Sequence, residues 1–271
     1  MKTFLRDIIT EAGTISLAHR ARLSEVQITR KDTAKDLVTE ADVAVENYLV
    51  AQIKRACPDH AICGEESGTH LSRRSRAKTD EGNEYRWVID PIDGTTSFIH
   101  GLPFYSISIA LQKNGQTILA AVYAPVLGEL FMAERGNGAT LNGQPIGVSE
   151  STALSDCVCT TGFACLRANL ERNNLPLVNR IAPKLRGLRI LGSAALDLCY
   201  VACGRTDGSW ELNLNIYDIA AGMLICTEAG GSVTDFSGRR TDNLPGEILA
   251  TNGKIHTQLA EILIPIKSQH V

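Results

Sequence analysis

The chain has 271 residues, of which 44% are hydrophobic, and its formal net charge is −3. A chain of this size can bury a large core, and no apolar run approaches the roughly 18 residues that a membrane-spanning helix needs. The small net charge and the lack of a long basic run argue against electrostatic binding to nucleic acid. No Pro/Ser-rich linker divides the sequence, so we expect one domain over 1–271 with two lobes, about 1–145 and 146–271.

The first residues predict an amphipathic helix and not an export signal. The apolar residues Phe4, Leu5, Ile8 and Ile9 have helical spacing and are interspersed with charged residues. The eight cysteines form no CxxC pair and are predicted to be buried free thiols. These features together predict a cytoplasmic protein.

A second helix is predicted after the acidic segment "DLVTEAD". Thr39 is a suitable N-cap, and apolar residues repeat every four positions from Val45 to Ile53. Asp42 then lies in the first turn of this helix.

Two further acidic segments follow, each at the end of a predicted strand. "AICGEES" ends a strand with Glu65, and "YRWVI" leads directly to Asp90. We expect the second strand to end at Asp90, because Pro91 has a fixed φ and no N–H to donate within a sheet. Residues 93–96 would then lie on the following turn.

The segment "DPIDGTT" combines two carboxylates with backbone N–H groups. Carboxylates bind hard cations such as Mg²⁺, and amides at a turn or helix start bind anions such as phosphate. Asp, Pro, Gly and Thr are also common turn formers, so the segment taken alone is equally consistent with an ordinary turn.

From Phe104 onwards, the sequence predicts first a meander of strands and then helices that alternate with strands. Strand and turn patterns run from Phe104 to Ile146. Helices predicted from Ser193 and from Asp218 then alternate with short strands, and a last helix follows. This order predicts a layered α/β fold.

Missing motifs exclude several catalytic classes. The six histidines form no HxxxH or HxH pair, which disfavours a zinc hydrolase. No GxSxG elbow offers a serine nucleophile, and no GxxxxGK(S/T) loop supports ATP-driven chemistry. The two-residue separation of Asp90 and Asp93 also differs from the DxDx(T/V) pattern of aspartyl-phosphate phosphatases.

Four acidic segments together resemble the inositol monophosphatase family over nearly the whole chain. They are "DLVTEAD", "CGEES", "WVIDPIDGTTSF" and "YDIAAGMLICTEAGG". The third satisfies the family's central motif, D-P-(I/L)-D-G-T-(T/S), and the fourth its second signature, (W/Y)-D-x-A-(A/G)-(A/G). The chain departs from the family pattern at two positions. Tyr217 stands where most members have Trp, which is a conservative change, and Ser97 stands where most have Asn, where we expect a local effect only. The resemblance implies the α/β/α/β/α sandwich of the inositol monophosphatase and fructose-1,6-bisphosphatase type.

The resemblance also implies a site for two to three Mg²⁺ ions per subunit. The implied ligands are the carboxylates of Glu65, Asp90, Asp93 and Asp218 and the backbone carbonyl of Ile92. Glu66 would lie near the weaker third ion through water. Asp42 and Thr95 would orient the attacking water, and together with Glu65 and Asp90 they form the implied catalytic set.

The resemblance also implies seven residues that contact the substrate. They are Asp93, Gly94, Thr95, Thr96, Ala194, Glu211 and Asp218. Glu211 matches an acceptor for a ring hydroxyl, although a solvated carboxylate is the simpler interpretation of this residue alone. Lys31 matches a lysine that helps to order the metal-binding loop, although charged loop residues are usually only solvated.

We therefore expect a Mg²⁺-dependent phosphomonoesterase that hydrolyses myo-inositol 1-phosphate, or a similar small polyol or sugar phosphate, by direct attack of a metal-activated water. Fructose 1,6-bisphosphate, histidinol phosphate, adenosine bisphosphate and NADP are alternative substrates within the same fold. The resemblance further implies a homodimer and inhibition by Li⁺. A non-enzymatic alternative is an interaction partner of the transcription machinery, against which the retained metal residues argue.

Overall fold

The computed structural model of the protein describes residues 1–23, 28–30, 37–70, 84–240, 242 and 246–263. The helices in this part of the chain are α1 (Lys2–Arg20), α2 (Glu40–Ala56), α3 (Thr95–Ile99), α4 (Ala164–Arg167), α5 (Leu175–Ile181), α6 (Ala194–Ala202), α7 (Ile216–Glu228) and α8 (His256–Leu263). Short 3₁₀ turns cover Leu154–Asp156 and Ala182–Lys184. None of these helices is both long enough and apolar enough to cross a membrane.

The larger sheet has eight strands in the order β10-β9-β8-β7-β6-β5-β3-β4. Its strands are β3 (Ala61–Gly64), β4 (Gly68–His70), β5 (Tyr85–Asp93), β6 (Ser106–Lys113), β7 (Gln116–Ala124), β8 (Glu129–Glu134), β9 (Ala139–Leu141) and β10 (Gln144–Pro145). From β5 to β10 neighbours in sequence pair antiparallel, which confirms the predicted meander. The pair β3 and β5 is parallel, so the carboxyl ends of these two strands meet at one edge of the sheet.

The smaller sheet has five strands in the order β12-β11-β13-β15-β14. Its strands are β11 (Val158–Thr161), β12 (Gly187–Arg189), β13 (Gly208–Leu214), β14 (Ser232–Thr234) and β15 (Gly246–Thr251). Strands β12, β11 and β13 run parallel, whereas β15 pairs antiparallel with both β13 and β14. A separate antiparallel pair joins β1 (Ile28–Arg30) to β2 (Leu37–Thr39).

Helices α1 and α2 cover the outer face of the larger sheet. Leu5 and Ile9 of α1 and Leu49 of α2 pack against Trp87 and Ile109 of the sheet, and all five side chains are fully buried. The apolar residues whose spacing predicted these helices therefore lie on the face that each helix buries.

Helices α6 and α7 form a central layer between the two sheets. Their residues pack against Val88 and Val122 of the larger sheet on one side and Ile248 of the smaller sheet on the other. Both helices are apolar around most of their circumference, as expected for helices buried on two sides. A Cβ atom at Gly222 of α7 would lie 2.7 Å from Leu198 of α6, so the glycine allows this close helix contact.

Helices α5 and α8 cover the remaining face of the smaller sheet, where Ile181 and Leu259 pack against Trp210 and Leu249. The layers therefore follow the order α/β/α/β/α, which confirms the predicted fold class. Helices α4 and α5 were not predicted from the sequence. The division into two lobes near residue 145 stays a prediction.

All eight cysteines are free thiols, as predicted. Six are buried, and Cys63 and Cys203 are half-buried. Burial raises the pKa of the Cys226 thiol to about 12, so this group remains protonated at neutral pH.

Candidate metal and phosphate site

The end of β5 differs from the expectation that this strand stops at Asp90. The strand continues to Asp93, and its pairing with β6 shifts register between these two aspartates. Asp90 pairs with Ser108 and Asp93 with Ser106, so three steps on β5 face two on β6. This bulge accommodates Pro91, since a bulged position does not require the missing N–H in the ladder.

Three aspartates converge beside this bulge. Ligand oxygens of Asp90, Asp93 and Asp218 all lie within 4.8 Å of one another. Asp90 is 1% exposed and Asp93 is 8% exposed. Asp218 is half-buried in the first turn of α7, which begins at Ile216 and not at Asp218 as expected.

The carboxyl groups in this cluster resist ionisation. Burial raises the pKa of Asp90 well above its usual range, and the charges of Glu65, Asp93 and Asp218 raise it further. Burial followed by the charge of Asp93 raises the pKa of Asp218 in the same way. Like charges packed in a site of low dielectric constant disfavour one another, and a bound cation would offset this repulsion.

Asp93 is fixed by the N-terminus of α6. Its Oδ2 atom accepts hydrogen bonds from Ser193 Oγ at 2.6 Å and from the Ala195 N–H at 2.7 Å. Burial raises the pKa of Asp93 to about 6, although these hydrogen bonds oppose the increase. Asp93 thereby joins the end of β5 to the central helix layer.

Asp218 is held by its own helix start. Its Oδ2 atom accepts a hydrogen bond from the Asn215 N–H at 2.5 Å, in a capping box. The carboxylate is thus oriented before any ligand arrives.

Glu65 and Glu66 lie on the three-residue turn of the β3–β4 hairpin, and both are half-buried. The Glu65 N–H donates to the Ile89 carbonyl at 3.2 Å, and the Glu65 side chain interacts with Asp90. Glu65 is outside the tight group of three aspartates but adjacent to it.

Asp42 and Thr95 are 53 positions apart in the sequence but lie side by side in the structure. Thr95 Oγ1 lies 3.4 Å from Asp42 Oδ1 and 3.2 Å from the Ile92 carbonyl oxygen. Asp42 is fully buried, and its Oδ2 atom accepts from the N–H of Thr39 at 2.8 Å and from Thr39 Oγ1 at 2.5 Å. Thr39 caps α2 as predicted.

The turn after Asp93 begins a short helix. Gly94 has φ of 97°, a conformation that a side chain would strain, and its Cβ would lie 2.9 Å from the Gly192 carbonyl oxygen. Thr95 and Thr96 form the first turn of α3. N–H groups in a first helical turn have no partners within the helix, which suits them to an anion.

Two of the predicted substrate contacts, Ala194 and Glu211, lie on the central layer and the smaller sheet. Ala194 is the first residue of α6, next to the groups that hold Asp93. Glu211 on β13 is 6% exposed, and burial raises its pKa to about 7, while Arg167 and the Ala164 N–H oppose the increase. This burial excludes the interpretation of Glu211 as an ordinary solvated carboxylate. Lys31 lies outside the described residues.

Sequence reasoning did not identify two residues that support the site. Ser193 donates to Asp93, and Glu46 on α2 accepts hydrogen bonds from the hairpin turn that carries Glu65. Glu46 follows Asp42 by four residues on a helix, so the pair shares one helix face. That spacing was the available signal.

The donor set contains only carboxylate and carbonyl oxygens, which suits a hard cation such as Mg²⁺. Buried acids that repel one another, next to N–H groups at a helix start, form a site for a divalent cation and a phosphate group. These features describe the class of site that metal-dependent phosphatases use.

The family model "Inositol monophosphatase family" matches residues 1–268, and the chain belongs to this family. An inositol-1-monophosphatase from Synechocystis sp. is 45% identical over 237 residues, which cover 88% of this chain and 80% of that protein. A protein named Nus factor SuhB from Pseudomonas aeruginosa is 41% identical over 256 residues, which cover 94% and 92% of the two chains.

A solved structure agrees with this assignment. The extragenic suppressor protein suhB from Bartonella henselae has a TM-score of 0.86 and 36% identity, covering 97% of this chain and 98% of that one. Family membership together with the carboxylate cluster supports a metal-dependent phosphatase.

Proposed function

We propose that the protein is a Mg²⁺-dependent phosphomonoesterase that hydrolyses myo-inositol 1-phosphate, or a similar small polyol or sugar phosphate, to the alcohol and inorganic phosphate. The observation that carries this proposal is the convergence of Asp90, Asp93 and Asp218 oxygens within 4.8 Å of one another. The Asp42–Thr95 pair adjoins the same strand end through the Ile92 carbonyl.

The residues that would hold two to three Mg²⁺ ions are Glu65, Asp90, Asp93 and Asp218, with the Ile92 carbonyl oxygen. Glu66 would contact a more weakly held ion through water. When bound, the ions supply positive charge against the phosphate dianion and make water more acidic.

Thr95 and Asp42 would orient the water that attacks phosphorus. The Thr95 hydroxyl lies within reach of two acceptors, Asp42 Oδ1 and the Ile92 carbonyl oxygen. A hydroxyl that donates its proton to one of them directs its lone pairs towards a water. Thr39 holds Asp42 by two hydrogen bonds, which fixes the position of this acceptor.

The phosphate and the alcohol portion of the substrate would bind to different groups. The N–H groups of Gly94, Thr95 and Thr96 suit the phosphate oxygens. Ala194 and Glu211 would contact ring hydroxyls, and Asp93 and Asp218 are the remaining proposed substrate contacts. Glu211, with a pKa of about 7, can accept from a hydroxyl when ionised and donate to one when protonated.

The direct test is phosphate release from myo-inositol 1-phosphate by the purified protein, with and without Mg²⁺. We expect turnover only with metal. A panel with fructose 1,6-bisphosphate, histidinol phosphate, adenosine bisphosphate and NADP then ranks the substrates. A tenfold higher kcat/KM for one of these compounds would replace inositol phosphate as the substrate.

A second candidate function is an interaction with the transcription machinery, which the name of the Pseudomonas aeruginosa relative, Nus factor SuhB, favours. An Asp90→Asn variant separates the two functions. If this variant lost phosphatase activity but fully replaced the wild-type protein in cells, the cellular role would be the interaction.

We further propose a cytoplasmic homodimer that Li⁺ inhibits in competition with a weakly held Mg²⁺. Leu102 and Ile190 are exposed apolar side chains that a subunit interface would cover. Sedimentation as a monomer at micromolar concentration would contradict the dimer. Full activity in tens of millimolar Li⁺ would contradict the inhibition.

A further inference from the structure

Glu46 is a buried carboxylate on α2 that binds the backbone of the hairpin turn Glu65–Ser67. It is 2% exposed. Its Oε2 atom accepts from the Glu66 N–H at 2.9 Å, and its Oε1 atom accepts from the Ser67 N–H at 2.7 Å. Both oxygens of one carboxylate thus hold consecutive amides, and hydrogen bonds to a charged acceptor are the strong ones.

The strand before this turn is shaped to admit the Glu46 side chain. A Cβ atom at Gly64 would lie 2.6 Å from the carboxyl carbon and from one carboxyl oxygen of Glu46. Real Cβ contacts are not this short, so any other residue at position 64 would displace the carboxylate. The glycine is required here by close approach and not by its backbone conformation.

The same helix also carries the residue that holds Thr95. Asp42 and Glu46 are four residues apart on α2 and share one face. Asp42 contacts Thr95 next to the end of β5, and Glu46 contacts the turn next to the end of β3. One rigid helix therefore connects the two strand ends that carry the candidate metal ligands.

Apart from the two amides that Glu46 holds, the backbone of this turn has a hydrogen bond to β5. That bond runs from the Glu65 N–H to the Ile89 carbonyl at 3.2 Å. The Glu65 carboxyl must reach Asp90 from a turn, whereas Asp90 itself lies within a strand that is paired on both sides. Ligands on turns are less precisely held than ligands on strands.

We infer that Glu46 is a positioning residue for metal binding, which fixes the Glu65–Ser67 turn so that Glu65 meets the carboxylates at the end of β5. This inference rests on the proposed metal-dependent phosphatase function. Glu46 holds the backbone of the turn and is not among the groups proposed to bind the metal, the water or the substrate. Its effect is on the affinity for Mg²⁺, because a turn without its two anchors must be ordered when the ion binds.

The test uses Glu46→Gln, which keeps the size of the side chain but turns an NH₂ donor towards one of the two N–H groups. We expect the Mg²⁺ concentration for half-maximal phosphate release to rise about tenfold, within the usual range for residues that support metal ligands. The kcat at saturating Mg²⁺ should stay within about threefold of the wild-type value, because no reacting group has changed. The Mg²⁺ concentration that gives half of the thermal stabilisation should rise by the same factor.

Hydrogen exchange gives a readout that does not depend on activity. In the metal-free protein, the amides of Glu66 and Ser67 should exchange faster in Glu46→Gln than in the wild type. The matched control is Ile53→Val, which removes a methyl group from a fully buried residue on the same helix. It lowers thermal stability but should change neither the Mg²⁺ dependence nor the exchange of these two amides.

A second variant, Gly64→Ala, tests the same contact from the strand, because the added methyl group displaces the Glu46 carboxylate. It replaces Glu46→Gln in these measurements if that variant does not fold. It should raise the Mg²⁺ requirement in the same direction. An unchanged Mg²⁺ requirement in a folded variant, beside a wild type that depends on Mg²⁺, would overturn the inference alone. A wild type that shows no Mg²⁺ dependence would overturn both the inference and the proposed function.

Discussion

The two ends of the parallel pair β3 and β5 differ in how their polar groups are satisfied. At the amino ends, the Trp87 indole N–H donates to His60 Nδ1 at 3.1 Å, and the His60 ring stacks on Tyr85 with centroids 4.7 Å apart. At the carboxyl ends, Asp90 and its neighbours crowd like charges whose pKa values are raised. The polar groups at the amino ends satisfy one another, whereas the acids at the carboxyl ends repel one another, and a bound cation would offset this repulsion.

This difference separates stability from function on the same two strands. The amino end contributes packing and a satisfied hydrogen bond, so any change there costs stability. The carboxyl end holds mutually repelling acids, so removal of one acid should relieve strain while it abolishes the site. Ligand sites at the carboxyl ends of parallel strands are common in α/β proteins.

The largest expected effect is on activity at the carboxyl end. Asp90→Asn should lower kcat/KM for phosphate release by about 10³-fold, equivalent to about 4 kcal/mol. In the presence of EDTA the same variant should melt at a higher temperature than the wild type, because an amide is neutral at no cost, whereas the buried Asp90 carboxyl must either take up a proton or stay charged beside the other acids. Asp7→Asn, an exposed change on α1, is the control for both measurements. A lower melting temperature in EDTA would show that the cluster does not repel itself.

The next effect concerns the residue pair that would orient water. Thr95→Ala should lower kcat by about 10²-fold or more, because the hydroxyl that links Asp42 to the water is lost. Thr95→Ser keeps the hydroxyl and should retain most of the activity. Steady-state kinetics at saturating Mg²⁺ separates the two variants. Equal losses in both would mean that the Thr95 methyl group, and not its hydroxyl, matters.

A smaller effect is expected from the metal itself. Mg²⁺ at about ten times its Kd should stabilise the wild type by about 1.4 kcal/mol. This corresponds to a rise in melting temperature of about 3 °C for a chain of this size. Asp90→Asn should respond less. An unchanged melting temperature of the wild type on addition of Mg²⁺ would contradict the cation site.

The smallest effect belongs to the amino end. Burial lowers the pKa of His60, so the folded protein takes up a proton less readily than the unfolded chain. The stability from this group is complete above about pH 6.5 and is lost as the pH falls through the lowered pKa. Because the ring is half-buried, we expect less than about 1 kcal/mol.

Urea unfolding at pH 8 and pH 5.5 measures this contribution. His60→Gln cannot titrate and should lose less stability than the wild type over this interval. An equal loss in both proteins would assign the pH dependence to other groups.

Much of the architecture could be predicted from periodicity. The spacing of Leu5, Ile8 and Ile9 predicted α1, and the alternation from Phe104 to Ile146 predicted the meander. Helices α4 and α5 were not predicted because they are short, with four and seven residues, and carry little periodicity. The predicted end of β5 at Asp90 was wrong, because Pro91 cannot occupy an ordinary position in the ladder but can occupy a bulge.

The candidate site could be predicted as a set of residues but not as an arrangement. Asp90 and Asp93 are close in sequence, but Asp218 reaches them only through the packing of α7 against the larger sheet. The resemblance to a family supplied that connection in advance. Glu46 could not be assigned in this way, because its partners are backbone amides 20 and 21 positions away, and its four-residue spacing from Asp42 was the one signal in the sequence.

The most direct test of this account is phosphate release from myo-inositol 1-phosphate, measured as a function of Mg²⁺ concentration for the wild type and Asp90→Asn. We predict no release without metal, saturable activation of the wild type by Mg²⁺, and almost no release by the variant at any Mg²⁺ concentration. Release that is independent of Mg²⁺, or equal rates in both proteins, would contradict the claim that the carboxyl ends of β3 and β5 form a metal-dependent phosphatase site.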